Sequence, residues 1–137
     1  MNKLKLTILA IVASIFASSA SALDPDDLQK LTDTLKCMEC DLEYANLIGA
    51  DLSGADLRNA DLRNADLLEA NLYLANLKGA NLSRAIMENA TLSRANLEGA
   101  DLSSANLRGA DLNYAIMEGV ILCNTTMPDG SVIYSGC

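Results

Sequence analysis

Apolar residues recur at a fixed spacing of five through residues 40–129. The segment divides into eighteen words, such as Ala45-Asn46-Leu47-Ile48-Gly49 and Ala50-Asp51-Leu52-Ser53-Gly54. The middle residue, position i, is Leu in fifteen words and Met in three (Met87, Met117, Met127). Position i−2 is Ala in fifteen, the others being Cys40, Val120 and Thr125, and position i−1 is Asp or Asn in thirteen. The last two positions are read as freely variable. A period of five suits neither a 3.6-residue helix nor a strand of period two. Within a word, however, i−2 and i lie two apart, so a short extended stretch points both to one side. The remaining residues can turn the chain before the next inward pair. The pattern predicts a coil of short extended pieces and corners, with successive coils pairing at about 4.8 Å. Each coil then packs against its own walls and its neighbours alone, which makes the array quasi-one-dimensional.

Three segments flank or interrupt this regularity. Residues 1–22 read as a secretory signal peptide: Lys3 and Lys5, an apolar run from Leu6 to Ala17, then Ala20-Ser21-Ala22 as a small-residue cleavage site. The run is short for a membrane span. Residues 23–39 are expected to hold a capping helix from Asp24 to about Lys36, followed by Cys37-Met38-Glu39-Cys40. Asp24 suits the N-cap, Pro25 the first helical position, and Asp26 and Asp27 the positive helix end. Leu28, Leu31 and Leu35 form its apolar stripe. Residues 130–137 form a tail after the turn signal Pro128-Asp129-Gly130, expected to fold back over the last coil.

The words A(D/N)LXX closely resemble those of the pentapeptide-repeat family. The resemblance implies an all-β solenoid, a right-handed quadrilateral β-helix with four words per coil. Residues twenty apart would stack in columns, with Leu52, Leu72, Leu92 and Leu112 in one inward column and Ala55, Ala75, Ala95 and Ala115 in another. The Cys-flanked ends are similar to those of exported and organelle-lumen members.

The cysteines bear on both chemistry and compartment. A CxxC can be a redox centre, a metal half-site or a staple. Cys37-x-x-Cys40 follows a helix C-terminus and has Glu39 and Asp41 beside it, which disfavours a reactive thiolate. A four-Cys zinc site would need all four cysteines together. In the fold implied by the resemblance, Cys123 and Cys137 lie about four coils from the first pair, on the order of 19 Å at the strand spacing. A disulfide needs Cα atoms within about 7 Å. The expected pairing is therefore Cys37 with Cys40 and Cys123 with Cys137, and four cysteines in an exported chain fit staples.

Charge narrows the partners. Without Lys3 and Lys5, eight basic residues face eighteen acidic ones, a net charge of −10. That balance argues against nucleic acid or an anionic membrane as partner once the signal is removed. There is no His in the chain, hence no His-based triad, and neither a Gly-rich phosphate loop nor a base beside a serine is visible. No enzymatic activity, cofactor or metal is expected. The column Asp41, Asp61, Asn81 and Asp101 could suggest a metal ladder, but Asp and Asn at tight turns normally bond nearby backbone. Calcium would need six to eight converging oxygens, and a spaced row does not supply them. Ile86, Ile116 and Ile121 break the polar rule at i−1 without defining a site.

The favoured expectation is an exported structural or protein-binding scaffold, periplasmic or secreted, or in the thylakoid lumen of a photosynthetic source. One alternative, implied by acidic rod-shaped family members, is a DNA-mimicking topoisomerase-binding protein. Those members tend to carry Phe at position i, and Phe is absent from the repeats here. The other alternative is a thiol–disulfide protein acting through Cys37 and Cys40. Ile48, Leu68, Tyr73 and Leu74 are the outward residues that do not suit water. Ile48 and Leu68 would stack on adjacent coils, with Tyr73 and Leu74 around the corner. They form the candidate patch for an unknown protein partner or a homodimer, unless the N-terminal helix covers them.

Overall fold

A computed structural model describes residues 23–134, 136 and 137 of the chain; the signal peptide expected at 1–22 lies outside these residues. A helix, α1 (Pro25–Thr34), precedes a long coiled ladder, and two short strands, β1 (Thr125–Thr126) and β2 (Val132–Ile133), close it. Asp24 caps α1, its side chain accepting the Asp26 N–H at 2.9 Å, and Pro25 occupies the first turn. Leu35 ends the helix in the left-handed conformation, with its N–H on the Leu31 carbonyl. The helix thus stops two residues short of Lys36. Lys36 is already the first rung of the ladder, bridged in parallel to Asp56. Leu28 and Leu31 are buried as expected of the stripe, while Leu35 is half-buried and opens the first word of the coil.

Every parallel bridge joins residues twenty apart, from Lys36↔Asp56 to Asn106↔Thr126. Four words therefore make one coil. The repeat body begins one word earlier than residue 40, at Leu35-Lys36-Cys37-Met38-Glu39. Its ladder is uniform. The N–H of position i donates to the next coil at the carbonyl of i−1, as Leu47 to Asp66 at 2.7 Å, and the N–H of i−1 donates back to i−2, as Asp66 to Ala45 at 2.9 Å. Corners close with the N–H of each following Ala on the carbonyl of i, as Ala50 on Leu47 at 3.0 Å.

The core is the two inward columns and little else. Ala and Leu at i−2 and i are buried through the central coils, including Leu52, Leu72, Leu92, Ala55, Ala75 and Ala95 at 0% exposure. Leu112 and Ala115 depart from this: both are half-buried, as are Met117, Val120, Leu122 and Met127. Among the described residues no further coil packs on them, and these inward positions are partly exposed. Cys37 and Cys40 take inward positions i and i−2, with exposures of 0% and 1%. Their disulfide fills the space that Leu and Ala fill elsewhere.

Candidate interaction surface

What faces outward is set by two backbone devices, and only one of them was legible beforehand. At i−1, Asp or Asn turns its Oδ1 onto the N–H of i+1, as Asp51 to Ser53 at 3.2 Å, Asn71 to Tyr73 at 3.1 Å and Asp101 to Ser103 at 2.9 Å. These are Asx turns, the role expected of the polar column. At i+2, the last position, every word from Glu39 to Asn124 has positive φ, near +55° to +70°. A turn whose third residue is left-handed favours Gly and Asn. The last position is therefore not freely variable: Gly and Asn recur there, as at Gly49, Gly54, Asn59 and Asn64, and β-branched residues are absent. The signal was that composition, read at fixed register.

The candidate patch lies on the first coils. Ile48 and Leu68 stand on adjacent coils of one face, tied by the Gly49 N–H on the Leu68 carbonyl at 2.8 Å. Tyr73 and Leu74 follow on the next face, the latter at φ +58°. Ile48, Tyr73 and Leu74 are 36%, 38% and 52% exposed, and Leu68 is half-buried. The helix leaves them uncovered. It sits instead across the start of the coil, where the Asp27 carboxylate accepts the Asp41 N–H at 2.8 Å and the Asp24 N–H meets the Asp41 carbonyl at 3.3 Å. Sequence reasoning left out Ile86, 42% exposed on the same face. Its bridge to Asp66 places it one coil beyond Leu68. An apolar residue at the outward position i−1 was the available signal. Tyr44, Tyr114, Ile116 and Ile121 are likewise exposed.

Three basic side chains pair with carboxylates on the polar faces. Arg63 Nη2 reaches Asp61 at 2.6 Å and Glu43, one coil below, at 3.1 Å. Arg58 holds Asp56 at 2.7 Å, and Lys78 meets Glu98 at 3.0 Å. The guanidinium bonds hold the Asp61 and Asp56 carboxyls below their ordinary range. Asp41, Glu43 and Asp61 converge closely enough to suggest a cation site, but the Arg63 guanidinium already supplies the positive charge there. Asp27, Cys37 and Cys40 also cluster. Both sulfurs are in the disulfide, so no thiolate is offered to a metal. That burial also weighs against thiol exchange at Cys37 and Cys40. The second disulfide joins Cys123 to Cys137 and pins the tail. β2 pairs antiparallel with β1, Thr125 opposite Ile133, so the tail lies along one side of the last coil.

The model of pentapeptide repeats matches residues 36–72, 55–94, 70–109 and 90–127. Among solved structures, a pentapeptide repeat protein of the Arabidopsis thaliana thylakoid lumen aligns at 28% identity and a TM-score of 0.51. The alignment covers 68% of this chain and 65% of that one, so the chain spans just under two thirds of the plant protein. A pentapeptide repeat protein from Nostoc PCC 7120 aligns at 32% identity over 75% of this chain and 78% of its own, with a TM-score of 0.51. Likeness to these two implies a right-handed quadrilateral β-helix. The plasmid-mediated fluoroquinolone resistance protein QnrB1 aligns at 22% identity over 64% of this chain and 48% of its own, with a TM-score of 0.39, too distant to bear on function. No curated protein matches by sequence.

Proposed function

The chain belongs to the pentapeptide-repeat family, and from that premise we propose that it is an exported, non-catalytic scaffold that presents a partner-binding strip on its first coils. The strip of Ile48, Leu68, Tyr73 and Leu74 carries the reading. It is apolar and set on a fully hydrogen-bonded ladder, whereas most outward positions are Ser, Gly, Asn or charged. Contiguous exposed apolar residues mark contact surfaces where scattered ones do not. Tyr73 is the anchor, since Tyr is enriched among residues that dominate binding energy, and Ile86 extends the strip by a coil. The partner is a protein. The acidic balance offers no basic footprint for nucleic acid. Export is supported by the signal-like 1–22 segment, by two disulfides and by similarity to a thylakoid-lumen protein. The compartment is the periplasm or the exterior, or the lumen in a photosynthetic source. The test is a Leu68→Lys, Tyr73→Ser double variant compared with the parent by thermal melting and by affinity capture from the compartment where the protein fractionates. A variant that melts like the parent but loses the captured partner supports the strip. An unchanged capture list removes it.

A further inference from the structure

The strip on the first coils is bordered by charge of one sign. Glu69 stands at the corner between Leu68 and Tyr73 and is exposed, as is Asp51 on the face that carries Tyr73. Asp66 precedes Leu68 on its own face. Glu88 follows Leu68 in the next coil, where its carbonyl accepts the Glu69 N–H at 2.9 Å. None of these carboxylates is in an ion pair among the described residues. Asp66 Oδ1 accepts the Leu68 N–H at 3.1 Å, Asp51 Oδ1 the Asn71 side-chain amide at 3.1 Å, and Glu88 Oε2 the Asn106 side-chain amide at 3.3 Å. Each leaves its second oxygen unengaged among the described residues, and Glu69 leaves both.

The other faces are built differently. Arg58 and Arg63 lie against Asp56 and Asp61, and Lys78 against Glu98. On the two faces of the strip, basic residues begin only in the coil of Ile86. Arg94, one coil beyond Leu74, directs its guanidinium over the Tyr114 ring, 5.7 Å from the centroid. Arg108 follows Glu88 by a coil without an ion pair between them, and Arg84 stands at the corner before Ile86. The apolar side chains of the first two coils therefore sit among carboxylates with no cation set against them. Complementary charge across a contact selects the partner and speeds encounter, so the chemistry that fits is apolar side chains flanked by basic ones.

Spacing selects the shape. Ile48, Leu68 and Ile86 rise along the rod one per coil, about 4.8 Å apart. A helix lying along the rod rises about 5.4 Å per turn, so its apolar stripe sets one side chain on each coil, with Tyr73 and Leu74 against its flank. A strand laid the same way repeats on one side about every 6.7 Å and falls out of step. We propose that the strip receives an amphipathic helix of a partner protein whose apolar stripe is flanked by Lys and Arg, the stripe lying along Ile48, Leu68 and Ile86 and the basic side chains reaching the carboxylates around them. This rests on the strip being a contact surface and adds the chemistry of what it contacts.

The probes are three synthetic peptides with the same leucine stripe at i, i+3, i+4 and i+7, flanked by Lys, by Glu or by Gln. Binding to the oxidised protein is measured by titration calorimetry and helix formation by circular dichroism. The Lys peptide should bind, become helical, and weaken as salt rises from about 0.1 to about 1 M, which shortens the screening length from about 10 to about 3 Å. The Glu peptide should not bind. Glu69→Lys, Glu88→Lys should reverse that order, favouring the Glu peptide by about tenfold or more. Basic residues already occupy the equivalent positions at Arg94 and Lys78, so this variant keeps the coil. Glu39→Lys, Glu118→Lys makes the same change in net charge two words away around the coil and should bind like the parent. Leu68→Ser, Tyr73→Ser, which leaves the charge unchanged, should lose the Lys peptide. Equal binding of all three peptides, or none of the Lys peptide, overturns the proposal with no variant needed. So does a Lys peptide unmoved by Glu69→Lys, Glu88→Lys or retained by Leu68→Ser, Tyr73→Ser. The strip itself stands or falls separately, on whether Leu68→Lys, Tyr73→Ser loses the captured partner.

Discussion

Replacing Ala75 with Leu tests the inward column where the structure leaves least room. Ala75 is at 0% exposure, between Ala55 and Ala95 of the same column, also at 0%. Its backbone is held on both sides: the N–H donates to the Leu72 carbonyl at 3.0 Å, and its carbonyl accepts from Asn96 at 2.9 Å. Three extra carbons must enter a core only one short side chain deep at that corner, with coils about 4.8 Å above and below. The corner cannot retreat without breaking a rung. Overpacking of this kind costs about 1–3 kcal/mol, which on a domain of this length lowers the melting temperature by roughly 3–5 °C per kcal/mol. Ala115 is the internal control: it holds the same position in the last coil but is half-buried. Ala115→Leu can push its side chain toward solvent and should melt close to the parent. Calorimetry on both variants decides the matter. Equal losses, or no loss at Ala75, would refute the assignment of that column to the interior.

Two smaller predictions concern the corners. Gly79 and Gly99 have φ of +68° and +66°, but a methyl group at Gly79 would run into Asn59 Oδ1, whereas nothing lies within 4 Å of one at Gly99. Both Ala variants should lose about 1–2 kcal/mol for the left-handed conformation, with Gly79→Ala losing more, and Asn59→Gly should abolish the difference in chemical denaturation. The second concerns Asp61, whose carboxyl the Arg63 guanidinium holds below its ordinary range. A depressed carboxyl stabilises the fold above its unfolded value, about pH 3.9, and that stabilisation is lost as pH falls through the folded value. The pair is partly exposed, so the effect is small. Asp61→Asn keeps the acceptor that meets the Arg63 N–H at 3.1 Å yet loses the ion pair, and melting curves between pH 2 and 6, on the order of the carboxylate range, should flatten in that variant.

The repeat architecture was legible because three constraints act at every word and the words do not drift. An inward pair two residues apart and a polar residue positioned to serve a turn are visible in any single word, such as Ala70-Asn71-Leu72. The left-handed position was missed because its rule is conformational, not chemical. Arg84, Leu74 and Tyr114 all occupy it, and their chemistry has nothing in common. The start of the coil was misplaced for a related reason. Leu35-Lys36-Cys37 fits the words only if Cys is accepted at position i, and Lys36 reads equally well as the end of a helix. Leu35 and Leu28 also match a helical stripe, and the ladder bond from the Asp56 N–H to the Leu35 carbonyl at 2.8 Å decides between them. The partial exposure of Leu112 and Ala115 was invisible, since those words are regular. Among the described residues no further coil packs on them.

These constraints also say where function can be written. Positions i−2 and i are fixed by the interior, i+2 by backbone conformation, and i−1 by the Asx bond. Only i+1 is left without a structural duty, and Ile48, Leu68 and Tyr73 all stand there. Departures at i−1 carry the most information, because they give up a useful interaction. At Ile86, Ile116 and Ile121 the side chain cannot accept the N–H two residues on, and Glu88, Glu118 and Cys123 have no such bond where Ser53 and Ser103 do. Each gives up a contact worth about 0.5–1.5 kcal/mol and exposes a large apolar group, 42%, 50% and 42% accessible respectively. Packing inside the coil does not account for this, since i−1 points outward throughout the ladder. What lies outside the coil then becomes the natural account. Ile86 adjoins the strip of Leu68, while Ile116 and Ile121 stand further along the ladder. Ile86 thus borders the proposed strip, where an apolar neighbour would repay the lost bond.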